Sequence, residues 1–202
     1  MVMHELHPPI AAPLGDVTTG RLHLRRFALS DLDELVALFA HREVWEFPYG
    51  RGMTRDETAA FLDAQIEHQE ECGFGCWSAR ERTGGRLVGY VGLSVPTFLP
   101  EILPAVEVGW RFAPTVWGQG YAREGATAAL DEAFTTLGLV SVCSLPQADN
   151  PRSVRVAERL GMRLDRRVTV AANDQRGAVV AMHFEITSRE WAAARDRDEP
   201  RT

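Results

Sequence analysis

The chain has 202 residues, with 28 acidic side chains against 22 basic ones, all of them arginine, for a formal net charge of −6. The absence of lysine excludes Schiff-base, P-loop and lysine-base chemistry, so any bound anion falls to arginine, backbone N–H groups or a helix N-terminus. The acidic balance argues against nucleic acid as a partner.

A hydrophobic fraction of 45% and a charged fraction of 25% are ordinary for a globular chain, and the length suits one domain with a sizeable core. An all-arginine cation set is what GC-rich coding produces. Three cysteines, Cys72, Cys76 and Cys143, form no disulfide framework, and the odd count points to a reducing compartment. No stretch approaches the length of a membrane span, and residues 1–16 carry no signal-peptide pattern. A cytoplasmic protein with no membrane partner is expected.

In chain order, residues 1–18 form an arm with little pattern. Residues 20–27 alternate around Leu22 and Leu24, a strand signal. Ser30 precedes Asp31, Asp33 and Glu34 as an N-cap and acidic first turn of a helix over 31–41. Thr54 and Glu57 make a capping box for a second helix reaching about Glu70. Between the two helices lies an aromatic loop with Trp45, Phe47 and Tyr49. Residues 77–82 and 87–95 read as a hairpin around Gly84-Gly85, and 105–112 as another strand. A Gly-rich turn at 117–122 leads into a helix over 121–137 whose Ala122, Ala126, Ala129 and Ala133 give a narrow packing face. A buried strand at 139–145 follows. Asn150 caps a short helix with Pro151 at its first turn and Gly161 at its end. Strands at 162–169 and 179–187 close the domain, which spans 19–187, and 188–202 form a charged tail, disordered from Arg195. The order predicts a mixed α/β domain around one central sheet.

The strongest site signal is the run Phe112-Ala-Pro-Thr-Val-Trp-Gly-Gln-Gly-Tyr-Ala-Arg123. A strand, a Gly-rich turn and a helix in succession direct backbone N–H groups and the positive end of the helix dipole at one anion. Gly118 and Gly120 allow close approach. The same turn serves equally as a tight strand-to-helix connection with no ligand. There is no Walker A sequence and no dinucleotide fingerprint.

The segment from about Thr19 to Ile186 resembles the GCN5-related N-acetyltransferase (GNAT) superfamily, and within it the RimJ/RimL-type ribosomal-protein N-terminal acetyltransferases. The resemblance rests on Arg21–Arg25 followed by Ser30–Asp33, on Glu107-Val-Gly-Trp110, on Trp117–Glu124, and on Asn150–Ser153 running into Glu158–Gly161. It implies the GNAT fold, with a mostly antiparallel sheet splayed at the cofactor site, and acetyl-CoA as co-substrate. It implies that backbone near Phe112 holds the pantetheine arm and that Gly118, Gln119, Gly120, Tyr121, Ala122 and Arg123 hold the pyrophosphate. Asn150 would touch the cofactor arm, and Ser153 would lie near the thioester sulfur. Trp117 stands where the superfamily usually has Gln or Arg, which removes one side-chain contact. Ala157 replaces a tyrosine that many members use as general acid, and Ser153 is the substitute.

Glu107, in mid-strand before the turn, is the candidate base for the amine, or else a carboxylate paired with Arg111. Trp45, Phe47, Tyr49 and Trp77 are candidate walls of an acceptor pocket, with core-edge packing as the other use of aromatics there. Transfer through Cys143 is the less favoured route, against direct transfer in a ternary complex to a primary amine, on a protein N-terminus or a small molecule. The histidines are scattered, so no metal is expected. Homodimers are common in the family. A GNAT-like module that binds acyl-CoA without catalysis is the alternative.

Overall fold

The computed structural model describes residues 13–174 and 176–198. Eight strands form one sheet in the order β1-β2-β3-β4-β5-β6-β8-β7. They are β1 (Val17–Thr18), β2 (Leu22–Arg26), β3 (Cys76–Glu81), β4 (Leu87–Ser94), β5 (Glu107–Phe112), β6 (Ser141–Ser144), β7 (Arg163–Val170) and β8 (Val179–Thr187). Every neighbouring pair is antiparallel except β5–β6. That parallel pair is joined at a single position, Glu107 opposite Cys143. Beyond it β5 follows β4 to Phe112 while β6 follows β8. The sheet therefore opens along the C-terminal half of β5.

The helices are α1 (Leu32–Phe39), α2 (Glu46–Tyr49), α3 (Arg55–Cys72), α4 (Tyr121–Thr135), α5 (Pro151–Arg159) and α6 (Ser188–Asp198). Side chains alternate across β4: Tyr90 packs with Phe27, Phe39 and Phe61 under α1 and α3, while Val91 and Leu93 join the main core with α4. On α4, Ala126, Ala129 and Ala133 are fully buried, as their spacing predicts. A Cβ on Gly125 would stand 2.6 Å from Val91 Cγ1, so glycine lets α4 lie close on the sheet.

Local sequence signals account for the helix ends. The Thr54–Glu57 capping box forms, with Thr54 Oγ1 accepting from Glu57 N and Glu57 Oε2 accepting from Thr54 N. At α1 the expected Ser30 cap does not form. Asp31 turns inward instead, accepts from Ala28 N at 3.0 Å and binds the guanidinium groups of Arg25 and Arg80. Two arginines on neighbouring strands outbid a solvent-facing serine cap, and Leu29–Asp31 tightens into a 3-10 turn.

The chain ends also differ from expectation. Residues 1–12 of the arm lie outside the described residues, but Leu14 is buried and Val17–Thr18 adds an edge strand to β2. The tail, expected to be disordered from Arg195, continues as helix to Asp198, with residues 199–202 outside the described residues. Trp191 anchors it: the ring is buried, its Nε1 donates to Asp131 Oδ1 at 2.9 Å, and Arg195 reaches Asp131 at 3.4 Å.

Asp31 is fully buried. Replacing it with alanine strips Arg25 of its carboxylate and leaves Arg80 with Glu34 alone. Asp31→Ala should lower unfolding stability by about 3 kcal/mol, read from the urea midpoint at constant slope.

Candidate active site

At the end of β5, Pro114–Val116 form a 3-10 turn and the chain enters the Gly-rich loop. Gly118 and Gly120 sit at φ 74° and 86°, in the left-handed region. A Cβ at Gly118 would meet nothing, so backbone conformation and not space demands glycine. Gly120 is the N-cap of α4 and brings no side-chain cap. The first intrahelical bond of the turn runs from Glu124 N to Gly120 O at 3.0 Å. The N–H groups of Tyr121, Ala122 and Arg123 therefore point out of the helix, toward any anion in front of it.

Arg21 staples this loop to the start of β2. It donates to Gln119 O at 2.7 Å and Glu124 Oε2 at 2.6 Å, and its guanidinium lies 4.5 Å from the centre of the Tyr121 ring. Tyr121 O–H donates to Glu81, so this phenol is a packing group.

A cavity of about 700 Å³ opens at the loop. Gly118, Gly120, Tyr121, Ala122 and Arg123 line it, with Phe112, Asn150 and Ser153. Gln119 does not: its side chain turns back to donate to Thr115 O at 2.9 Å, and its carbonyl is taken by Arg21. Phe112 is buried in the main core with its ring against Tyr121, and its carbonyl accepts from Trp117 Nε1 at 2.8 Å. Trp117 also lies under Arg152, 4.1 Å from the guanidinium carbon. The residue that departs from the superfamily pattern thus ties β5 to α5.

Among the described lining residues, Arg111, Arg123, Arg152, Arg155 and Arg159 stand against one carboxylate, Glu43. In a chain of net charge −6, this concentrates positive charge where the helix dipole already favours an anion. Arg152, Arg155 and Arg159 recur every three or four positions of α5, a signal readable in the sequence and missed there. The donor set fits the anionic half of a CoA ester: glycine-supported N–H groups for a diphosphate, with arginines around them.

A second cavity of about 400 Å³ continues from the first, and the two share Phe47, Trp110, Arg111, Asn150 and Ser153. Alternate β5 residues Glu107, Gly109 and Arg111 line it. Glu107 is not paired with Arg111. That guanidinium instead donates to Val44 O, to Phe47 O at 2.9 Å and to Tyr90 Oη at 3.2 Å, and covers Trp45 at 3.7 Å. Burial raises the Glu107 carboxyl to about 7, opposed only by a hydrogen bond from backbone Leu145.

Trp45, Phe47 and Tyr49 line this cavity, joined by Phe61 and Tyr90. Trp45 also packs in the core, edge-to-face with Phe39 and stacked on Tyr49. Trp77 is a correction. It is 1% exposed in the main core, with Nε1 donating to Gly15 O at 3.1 Å, and it lines neither cavity described. Its strand position turns it away from the aromatic loop.

Asn150 Oδ1 caps α5 by accepting from Ser153 N at 3.2 Å, which leaves its amide nitrogen for a ligand. This cap also sets Ser153 where the two cavities meet. Burial pushes the Cys143 thiol far up, and the nearby carboxylates of Glu107 and Glu185 push the same way, so no thiolate nucleophile forms there. Among the described residues no cluster could hold a metal, and no helix is long and apolar enough to cross a membrane.

A family model described as "Acetyltransferase (GNAT) domain" matches residues 21–163. YkkB of Bacillus subtilis, an uncharacterized protein, is 30% identical over 149 residues, covering 72% of this chain and 84% of that one. YnaD of the same organism, an uncharacterized N-acetyltransferase, is 26% identical, over 73% of this chain and 82% of that one. The solved structure of a putative ribosomal-protein-serine acetyltransferase from Vibrio cholerae superposes with a TM-score of 0.71 at 20% identity, covering 86% of this chain and 99% of that one. The open parallel pair, the uncapped helix start and the matched domain agree: the chain belongs to the GNAT family and is an N-acetyltransferase.

Proposed function

We propose that the protein transfers an acetyl group from acetyl-CoA to a primary amine, directly, in a ternary complex. One observation carries this reading: the arginine-rich groove at α4 and the aromatic cavity containing Glu107 meet at Ser153 and Asn150. Bound acetyl-CoA would supply the thioester that the amine attacks. The N–H groups of Tyr121, Ala122 and Arg123 would hold its diphosphate, with Arg155 and Arg159 neutralising the remaining charge. The side of β5 left without a strand partner would run along the pantetheine arm.

Glu107 would take the proton from the incoming ammonium group. A carboxyl near 7 is half ionised at neutral pH and matched to this task. Ser153 makes no side-chain hydrogen bond among the described residues and is free to donate at the leaving sulfur. The inert Cys143 thiol favours direct transfer over a covalent intermediate. Trp117 and the likeness to the Vibrio protein favour the RimJ/RimL-type branch. Three free, buried cysteines fit a reducing, cytoplasmic setting. A purely binding module would have no use for a lone desolvated carboxyl beside the cofactor groove.

Thiol release from acetyl-CoA with a panel of primary amines tests the activity: no release with any amine would sink the transferase reading, and undiminished release by Glu107→Gln would sink the role of Glu107 as base. In the panel's best case Glu107→Gln should lower kcat by about 100-fold and flatten a rate profile that rises through pH 7. The same substitution has a stability signature of opposite direction. The folded-state carboxyl is raised, so the stability it contributes is present at acid pH and is lost as pH rises through about 7. Glu107→Gln should match the parent below about pH 4 and exceed it at pH 8 by up to about 3 kcal/mol, in paired denaturant titrations. The Arg155→Gln/Arg159→Gln double variant should raise the KM for acetyl-CoA about tenfold with kcat little changed, and the difference should shrink in high salt.

A further inference from the structure

The charges lining the acceptor cavity are few and separated. Among its described residues Glu107 is the one carboxylate, and Arg111 and Arg176 are the two cations. Arg111 is spent on the carbonyls of Val44 and Phe47, on Tyr90 and on the Trp45 face. Arg176 is different. It lies on the loop between β7 and β8, where Asn173 Oδ1 accepts from its backbone N–H at 3.0 Å. Its Nη1 donates to Ala171 O at 3.0 Å and Gly177 O at 3.2 Å, which fixes the guanidinium on the loop. No carboxylate pairs with it among the described residues, and its Nη2 and Nε keep their protons available. Glu107 pairs with Cys143, which on its other side pairs with Glu185 near the end of β8, whereas Arg176 lies on the loop before Val179 at that strand's start, and Arg111 lies four residues further along β5. The same lining includes the aromatic rings of Phe47, Tyr49, Phe61 and Phe98.

We propose that the acceptor is a small amino-carboxylate with an apolar body, such as a short peptide, its amine at Glu107 and its carboxylate at Arg176. This rests on the transferase reading and narrows its acceptor. A polycation is disfavoured by the same layout, since one carboxylate faces two guanidinium groups and a second ammonium would meet only aromatic rings or like charge. Arg176 is then a specificity residue: it touches the far end of the substrate and takes no part in proton transfer.

The test compares three acceptors at saturating acetyl-CoA: the dipeptide leucyl-phenylalanine, its C-terminal amide and spermidine. A carboxylate hydrogen-bonded to guanidinium should give the dipeptide about tenfold or more in kcat/KM over its amide. Spermidine should fall below both. In Arg176→Gln the ratio of dipeptide to amide should fall toward one through KM. Faster turnover of spermidine than of either peptide would overturn the proposal, as would a dipeptide preference that survives Arg176→Gln. If none of the three releases thiol while calorimetry still registers acetyl-CoA binding, the acceptor assignment fails and the cofactor reading stands. If acetyl-CoA does not bind either, both fail.

Discussion

The constraint on which the rest depends is the single point of pairing between the two parallel strands. Glu107 sits opposite Cys143, and past that point the strands separate, each held by its antiparallel neighbour on the other side. A sheet that closed there would bury both cavities and leave no room beside β5. Because it opens, a length of strand backbone faces a cleft, and the last paired residue is itself a desolvated carboxyl on the cavity wall. The same position explains its unusual proton affinity: Glu107 is deep enough to be desolvated yet has no arginine bonded to it.

Arginine does two separate jobs around this opening. Arg21, Arg25, Arg80 and Arg111 are bracing groups, bonded to carboxylates or carbonyls on neighbouring elements. A planar guanidinium with five donors can tie several chain segments at once, which an ammonium on a flexible stem does poorly. The arginines of α5 and Arg123 face the groove, and Arg155 and Arg159 have no carboxylate partner among the described residues. A protein with an acidic total thereby presents a positive groove to one ligand.

Much of this was legible along the chain. The capping box at Thr54, the alanine face of α4, the Asn150 cap and the Gly-rich turn are short-range signals, each carried by residues within one or two turns, and each appears where the spacing puts it. The signals that misled were those in which a local preference lost to a distant partner. Ser30 has the chemistry of a cap but Asp31 has two arginines, one of them 49 residues away. Arg195 begins a run that reads as disordered, but Trp191 finds Asp131 across the fold. Trp77 has the chemistry of a pocket wall, but its place on β3 opposite Val91 puts it in the core.

The sequence by itself determined the order of the elements from β2 to β8 apart from the short α2, the Gly-rich turn without lysine and the carboxylate on the strand before it, because these depend on backbone periodicity and on side-chain chemistry within short windows. Only the tertiary structure decided that Arg111 would brace the aromatic loop and leave Glu107 unpaired. It also brought Arg155 and Arg159 to the groove and set Arg176 on the acceptor cavity. Those outcomes turn on which of several possible partners lies within about 3 Å, and a hydrogen bond of that reach is settled by packing between elements far apart in the chain.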